Sequence, residues 1–207
     1  MVPSRVLYQM GNYDILINGV KVEVKVADTV EAVNQAIGQF HSLYRVLGLD
    51  YQKVVSVDPK SSYDLLVLCG GDNGFCLVIN LHFMQNCIPD SLRQVLRDGD
   101  NCIVHSSPLP AAYNNLLKDY NAAIKSIDAG EFAARVLNKP NFKGSNLSQI
   151  AREVGVSYED LKGLSKGTGE IRVEQEYLRV LTAEQVKKAV IQAYTCYKIG
   201  VKLLYTR

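Results

Sequence analysis

The sequence predicts an α/β domain in which helices flank a mixed β-sheet. An Asn18-Gly19 dipeptide interrupts the alternation of apolar and polar residues over 13–26, which is the strongest short signal for a β-hairpin. Apolar runs typical of buried strands follow between residues 46 and 79, and helical spacing dominates after residue 131. This order of elements is typical of a mixed sheet covered by helices. We assign residues 13–207 to the domain and residues 1–12 to a lead-in.

The first half of the domain is expected to contain one helix and a three-stranded antiparallel meander. Apolar residues keep helical spacing over 31–40, so we predict a helix there with Thr29 or Asp28 as its N-cap. A glycine-rich turn at Gly70–Gly74 separates two of the apolar runs and predicts a reversal of the chain. The expected strands are Val46–Asp50, Leu65–Cys69 and Phe75–Asn80.

The second half is mainly helical. Thr182 and Gln185 fit a capping box, so the last helix is expected to start after Thr182. Gly163–Gly169 is expected to be a loop within the domain. The predicted elements are a helix at Pro89–Arg97, a strand at Cys102–Val104, and helices at Ala111–Leu117, Glu131–Leu137, Asn146–Val154 and from Thr182 to about Leu204.

Composition excludes several classes of protein. A chain of 207 residues with 47% hydrophobic and 21% charged residues is not expected to be disordered in bulk. The formal net charge of +2 neither requires nor excludes a polyanionic partner, because a local basic stripe can exist within a balanced total. No segment approaches the roughly 20 apolar residues of a membrane span, and the start lacks a signal-peptide pattern. We therefore expect a soluble protein of the cytosol or nucleus, without a membrane partner.

The five cysteines are interpreted as reduced core residues of an intracellular protein. Their number is odd, none forms a C-x-x-C pair, and most lie in apolar runs, so a zinc site is not expected. They are Cys69, Cys76, Cys87, Cys102 and Cys196.

Motifs at both ends of the domain resemble those of the Werner-syndrome-like 3′–5′ exonucleases, a DnaQ-type family with an RNase H-like fold. The first is the strand Leu47–Lys53, and the last are Leu181–Val186 and Ala193–Gly200. The resemblance implies an RNase H-like, five- to six-stranded mixed sheet flanked by helices. Between the first and last motifs, further segments resemble those of the family in order and spacing. They are Leu68-Cys69, Phe75–Asn80, Ile88–Leu96, Ile127-Asp128, Phe132–Leu137 and Ile150–Glu153.

The resemblance also implies a site that holds two Mg²⁺ or Mn²⁺ ions with four acidic residues, and this chain departs from it. Asp50 matches the first acidic residue and is the candidate metal ligand, but Gln52 stands where the family has Glu. The family's second motif places an aspartate on a strand-to-helix turn, and here that position falls at Ala111 or Ala112. In the last motif, Lys188 replaces a tyrosine and Gln192 replaces an aspartate, while the helical i, i+4 spacing is kept. Three of the four carboxylates are therefore missing.

Other residues have two interpretations each. His105 follows a strand in this part of the sequence, and histidine is the commonest general base in enzymes, so it is a candidate catalytic base, but it also fits a polar loop residue. Lys187 and Lys198 could contact phosphates or could belong to a solvated helix face. The segment 146–166 could form a helix-turn-helix, although the exonuclease resemblance accounts for the same residues.

Three functions remain open. The first is a weak or inactive exonuclease homologue that binds single-stranded RNA or DNA, or regulates active paralogues by assembling with them. The second is a working exoribonuclease, because the chain is also similar to the plant exoribonucleases that clear fragments from the RNA-induced silencing complex. That branch forms ring-like homo-oligomers with sites at subunit interfaces, which implies a homo-oligomer and an RNA-silencing partner here. The third is a protein-interaction scaffold.

Overall fold

One mixed β-sheet organises the fold. The computed structural model describes residues 11–40, 45–56, 62–71, 74–82, 84, 88–106, 126–159, 170–173 and 181–205. In these residues eight strands form a single sheet in the order β1-β2-β5-β4-β3-β6-β7, with β8 also paired to β3. The strands are β1 (Asn12–Ile17), β2 (Val20–Ala27), β3 (Val46–Ser56), β4 (Tyr63–Gly70), β5 (Phe75–Asn80), β6 (Cys102–His105), β7 (Ser126–Asp128) and β8 (Glu170–Val173).

The predicted hairpin and meander are confirmed. Asn18 and Gly19 have φ values of 50° and 78°, the left-handed pair of a tight hairpin turn between β1 and β2. Strands β3, β4 and β5 pair antiparallel in chain order, and β3 pairs parallel with β6. The α/β class is therefore confirmed.

The expectation of five to six strands was wrong, and so was the end of β3. The short β7 and β8 were missed because they have only 3 and 4 residues and no apolar run long enough to signal a strand. Strand β3 continues to Ser56 because Val54, beyond the exposed Lys53, is buried and pairs with β8.

The predicted helices in the described residues are present. Thr29, not Asp28, caps the first helix, since its hydroxyl accepts a hydrogen bond from Ala32 N–H at 3.2 Å. Thr182 and Gln185 form the predicted capping box of the last helix. The helices are α1 (Val30–Ile37), α2 (Asp90–Arg97), α3 (Ala129–Val136), α4 (Leu147–Glu153) and α5 (Ala183–Tyr205).

Two sequence predictions cannot be compared with the structure. The expected helix at 111–117 and the expected loop at 163–169 lie outside the described residues. Among the helices that are described, none combines the length and apolar character that crossing a membrane requires.

The two faces of the sheet are covered by different helices. On β3, Val46 and Val54 pack with α5, whereas Leu47, Leu49 and Tyr51 pack with α1 and α2 on the opposite face. This alternation follows from the two-residue period of a strand. Even-numbered residues of β3, including Gly48, Asp50 and Gln52, therefore face α5.

The interpretation of all five cysteines as reduced was wrong for one pair. Cys69 on β4 and Cys76 on β5 form a disulfide, and both are fully buried. They are directly opposite each other in the antiparallel register, which brings together residues that are seven positions apart in the sequence. Sequence analysis missed the pair because it depends on this register. In the described part of the chain, Cys102 and Cys196 are free thiols.

Candidate functional site

Helix α5 crosses β3 at Gly48, and this crossing determines which residues meet. A β-carbon at Gly48 would lie 1.8 Å from the carbonyl oxygen of Ala193, so only glycine permits the approach. Further along the helix, a β-carbon at Gly200 would lie 2.6 Å from the side chain of Val46, so α5 is also close to β3 there. The helix therefore runs opposite to β3, and its residues before Ala193 lie over Asp50 and the positions beyond it.

Strand β6 brings a further polar group to the same place. Its last residue, His105, pairs with Leu49, so Ser106 lies at the level of Asp50. The Ser106 hydroxyl donates a hydrogen bond to Gln192 Oε1 at 3.0 Å. Sequence analysis identified Gln192 but missed Ser106, because only the β6 register and the crossing of α5 show that the two meet.

His105 lies on the other face of the sheet. Val104 packs on the α5 side with Cys196, so the alternation of β6 points the neighbouring His105 away from Asp50. Its Nδ1 atom lies 3.3 Å from the carbonyl oxygen of Ser106. The structure thus separates the candidate base from the other motif residues.

The edge of β3 is interrupted at the motif residues. Residues 46–49 pair with β6 and residues 53–56 pair with β8, both on the same side of β3. Among the described residues, no strand pairs with residues 50–52 on that side. We call this gap, with Ser106 and Gln192 at its margin, the notch. Crevices beyond the carboxyl ends of strands are common ligand sites in open α/β sheets.

Asp50 and Gln52 form a buried pair at the base of the notch. Asp50 is 5% exposed and Gln52 is 3% exposed, and the Gln52 amide donates a hydrogen bond to the Asp50 carboxylate. Burial raises the pKa of Asp50 to about 7, although hydrogen bonds from Gln52 and the Tyr51 backbone oppose this increase. Near neutral pH the Asp50 carboxyl group is therefore only partly ionised.

Cys196 of α5 lies close enough to Asp50 and Asp128 to be affected by their charges. Burial raises the pKa of its thiol well above the ordinary range, and the charges of Asp50 and Asp128 raise it further. Asp128 is already engaged as the N-cap of α3, since its carboxylate accepts a hydrogen bond from Glu131 N–H at 2.9 Å. Asp128 therefore serves a structural role.

The described residues do not fit a two-metal site. Such a site needs several anionic oxygen ligands that also reach the phosphate and the attacking water. Here Gln52 and Gln192 are neutral, and Asp50 is almost fully buried. No group of three or more His, Cys, Asp or Glu side chains in the described residues could hold a metal ion. The second-motif positions, Ala111 and Ala112, lie outside those residues.

The lysines of α5 lie on two sides of the helix. Lys188 is one turn before Gln192 and on nearly the same side, and it is partly buried. Lys187 forms an ion pair with Glu159 and, through it, lowers the pKa of that carboxylate. Lys198 is exposed, and its Nζ lies 5.9 Å from the ring centroids of Tyr194 and Tyr197. At 3.6 residues per turn, Lys187 is about 140° around the helix from Gln192.

Comparison with known proteins identifies the fold. No protein-family model matches the chain, and no curated protein matches its sequence significantly. Escherichia coli RNase D, an exoribonuclease involved in structured RNA processing, is similar in structure with a TM-score of 0.60 and 17% identity, covering 87% of this chain. The chain spans 44% of the length of RNase D. The EXD2 exonuclease domain matches with a TM-score of 0.44 in crystals soaked in Mg and dGMP, at 21% identity over 87% of this chain and 89% of that one. It also matches at 0.44 in crystals soaked in Mn, at 20% identity over 90% of both chains. The structural similarity to RNase D shows that the chain has a DnaQ-like fold.

Proposed function

We propose that this protein binds single-stranded RNA or DNA without hydrolysing it at an appreciable rate. The observation that carries the proposal is the buried Asp50–Gln52 pair. Where the resemblance implies two carboxylates on β3, an amide now hydrogen-bonds the one carboxylate that is left. The Asp50 carboxylate, which the resemblance implies as a metal ligand, is instead hydrogen-bonded to Gln52 within the protein.

The loss of activity follows from the charge of the site. Metal-assisted phosphodiester hydrolysis needs cations that activate water and stabilise charge on both sides of the phosphate. One buried carboxylate with a raised pKa supplies at most one negative charge to hold them. Gln192 stands where the resemblance implies an aspartate, and its neutral amide accepts a hydrogen bond from Ser106. Without divalent cations in this place, the hydrolysis common to the fold has no means of activating water.

Binding of nucleic acid does not require the metal ions that hydrolysis needs. Ser106 and Gln192 are partly exposed at the notch, and Lys188, one turn before Gln192 on α5, is also partly exposed, so polar and cationic groups are available for contact with nucleic acid. Exposed Lys198 is a second cation on α5, but it lies about 120° around the helix from Gln192, on the same side as Lys187. Assembly with active paralogues, with further copies of this chain or with an RNA-silencing complex would give such a binding protein a regulatory role.

The test separates binding from cleavage. Purified protein is incubated with 5′-labelled single-stranded RNA and DNA in Mg²⁺ or Mn²⁺, and shortening is measured beside binding by fluorescence anisotropy. We expect salt-sensitive binding and no shortening above that of an Asp50→Ala control. Shortening by the wild type alone would overturn the proposal and indicate an active enzyme whose metal site is completed elsewhere. Absence of both would leave the interaction scaffold as the function.

A further inference from the structure

We propose that Lys188 and Gln192 hold a backbone phosphate of single-stranded nucleic acid at the notch without a divalent cation. This would be a substitution of charge, in which one lysine replaces the metal ions as the cationic partner of the phosphate. The phosphate site rests on the proposed nucleic-acid binding. It adds that Lys188 and Gln192 contact the phosphate and that this contact needs no metal ion.

The hydrogen bond between Ser106 and Gln192 orients the amide. Ser106 donates to Gln192 Oε1 at 3.0 Å, so the oxygen of the amide is turned toward β6. The Nε2 group of the same amide carries two donors and is turned the other way. A phosphate oxygen is a strong acceptor that suits such a donor.

Lys188 supplies the charge. It precedes Gln192 by four residues, so the two lie on nearly the same side of α5 and about 6 Å apart along the axis. A lysine side chain of this length can span that distance to a shared ligand. Its ammonium group has three donors and needs no fixed orientation.

The surviving carboxylate does not block an anion at this place. Asp50 is 5% exposed, and its oxygens accept hydrogen bonds from Gln52 and from the Tyr51 backbone. The negative charge of Asp50 is therefore enclosed beneath the notch, while Ser106 and Gln192 at its margin are neutral and Lys188, one turn along α5, is a cation. In a metal site the opposite arrangement is needed, with anionic oxygens facing the ligand.

The experiment measures binding with and without metal. A short 5′-labelled single-stranded oligonucleotide is titrated by anisotropy in Mg²⁺ and in EDTA, with wild type, Lys188→Gln, Lys188→Arg and Gln192→Ala. The matched control is Lys202→Gln, which removes the same charge from an exposed position on α5. Thermal unfolding of each variant verifies that it is folded.

We expect the wild-type Kd to agree within about twofold between Mg²⁺ and EDTA. Lys188→Gln should weaken binding roughly tenfold, Gln192→Ala less, and Lys188→Arg should restore most of the affinity. Lys202→Gln should have little effect. Binding that needs Mg²⁺, or that responds equally to Lys188→Gln and Lys202→Gln, would overturn the phosphate site while leaving nucleic-acid binding intact. No binding under either condition would overturn both.

Discussion

The amide of Gln52 donates a hydrogen bond to the carboxylate of Asp50, two residues earlier on the same face of β3. Both side chains lie beneath α5 and are nearly inaccessible to solvent. A buried carboxylate with a neutral partner is stabilised by hydrogen bonds but not by an opposite charge. The free energy of unfolding should therefore depend on pH.

The free energy of unfolding should fall as the pH rises from about 4 to about 7 because of Asp50. Its pKa is raised by burial from 3.8 to about 7 in the folded chain. Between these values the folded state keeps a proton that the unfolded state releases, so stabilisation present below about pH 4 is lost by about pH 7. A difference of one in pKa corresponds to about 1.4 kcal/mol, so the full effect is on the order of 4 kcal/mol.

Asp50→Asn tests this dependence, because asparagine still accepts the hydrogen bond from Gln52 but does not ionise. Urea unfolding should show the variant gaining stability relative to wild type as the pH is raised from about 5 to about 8. The control is Asp14→Asn, whose exposed ion pair with Lys21 should contribute about 1 kcal/mol or less. A constant difference between wild type and Asp50→Asn across this range would contradict the raised pKa.

Gly48→Ala should strongly destabilise the protein. The added methyl group would meet the Ala193 carbonyl at 1.8 Å, and a backbone atom within a helix cannot move aside cheaply. We expect a loss of at least about 3 kcal/mol in the free energy of unfolding. In the control Gly38→Ala, no atom lies within 4 Å and φ is −58°, so a change between zero and a gain of about 1 kcal/mol is expected. Equal effects of both substitutions would mean that α5 does not cross β3 at Gly48.

The sequence was informative where structure is local. The Asn18-Gly19 turn and the Thr182 capping box depend on residues a few positions apart, so their patterns predicted the structure. The Cys69–Cys76 bond and the contact between Ser106 and Gln192 depend on strand register and on the crossing of α5. No short pattern encodes such contacts, and both were missed. The sequence likewise revealed that Gln52 is uncharged, but only the packing beneath α5 shows that Asp50 is enclosed.

The Cys69–Cys76 disulfide should contribute to stability. It closes a short loop between two strands and so restricts the unfolded chain. Such a restriction should add on the order of 2–3 kcal/mol to the free energy of unfolding. A thiol reductant should therefore lower the urea midpoint of the wild type. The double variant Cys69→Ala and Cys76→Ala should start lower and not respond to reductant. Alkylation of both cysteines in denatured, unreduced protein would show that the bond is absent.

Restoring carboxylates at two motif positions should create a cation site. In the double variant Gln52→Glu and Gln192→Asp, three acidic groups would converge beneath and beside the notch. Their mutual repulsion should destabilise the fold in EDTA, because like charges at close range disfavour ionisation. A divalent cation that binds only the folded state would then stabilise it by mass action.

We expect Mn²⁺ to raise the melting temperature of this double variant in a concentration-dependent manner and to leave the wild type nearly unchanged. The matched control introduces the same residue types at exposed positions, as Gln94→Glu and Gln35→Asp, and should not respond to Mn²⁺. Because the response depends on geometry, it tests whether positions 50, 52 and 192 meet as the crossing at Gly48 requires. Equal Mn²⁺ responses of the double variant and the control would show that they do not, and the Asp50–Gln52 pair would then be an ordinary polar contact of the core.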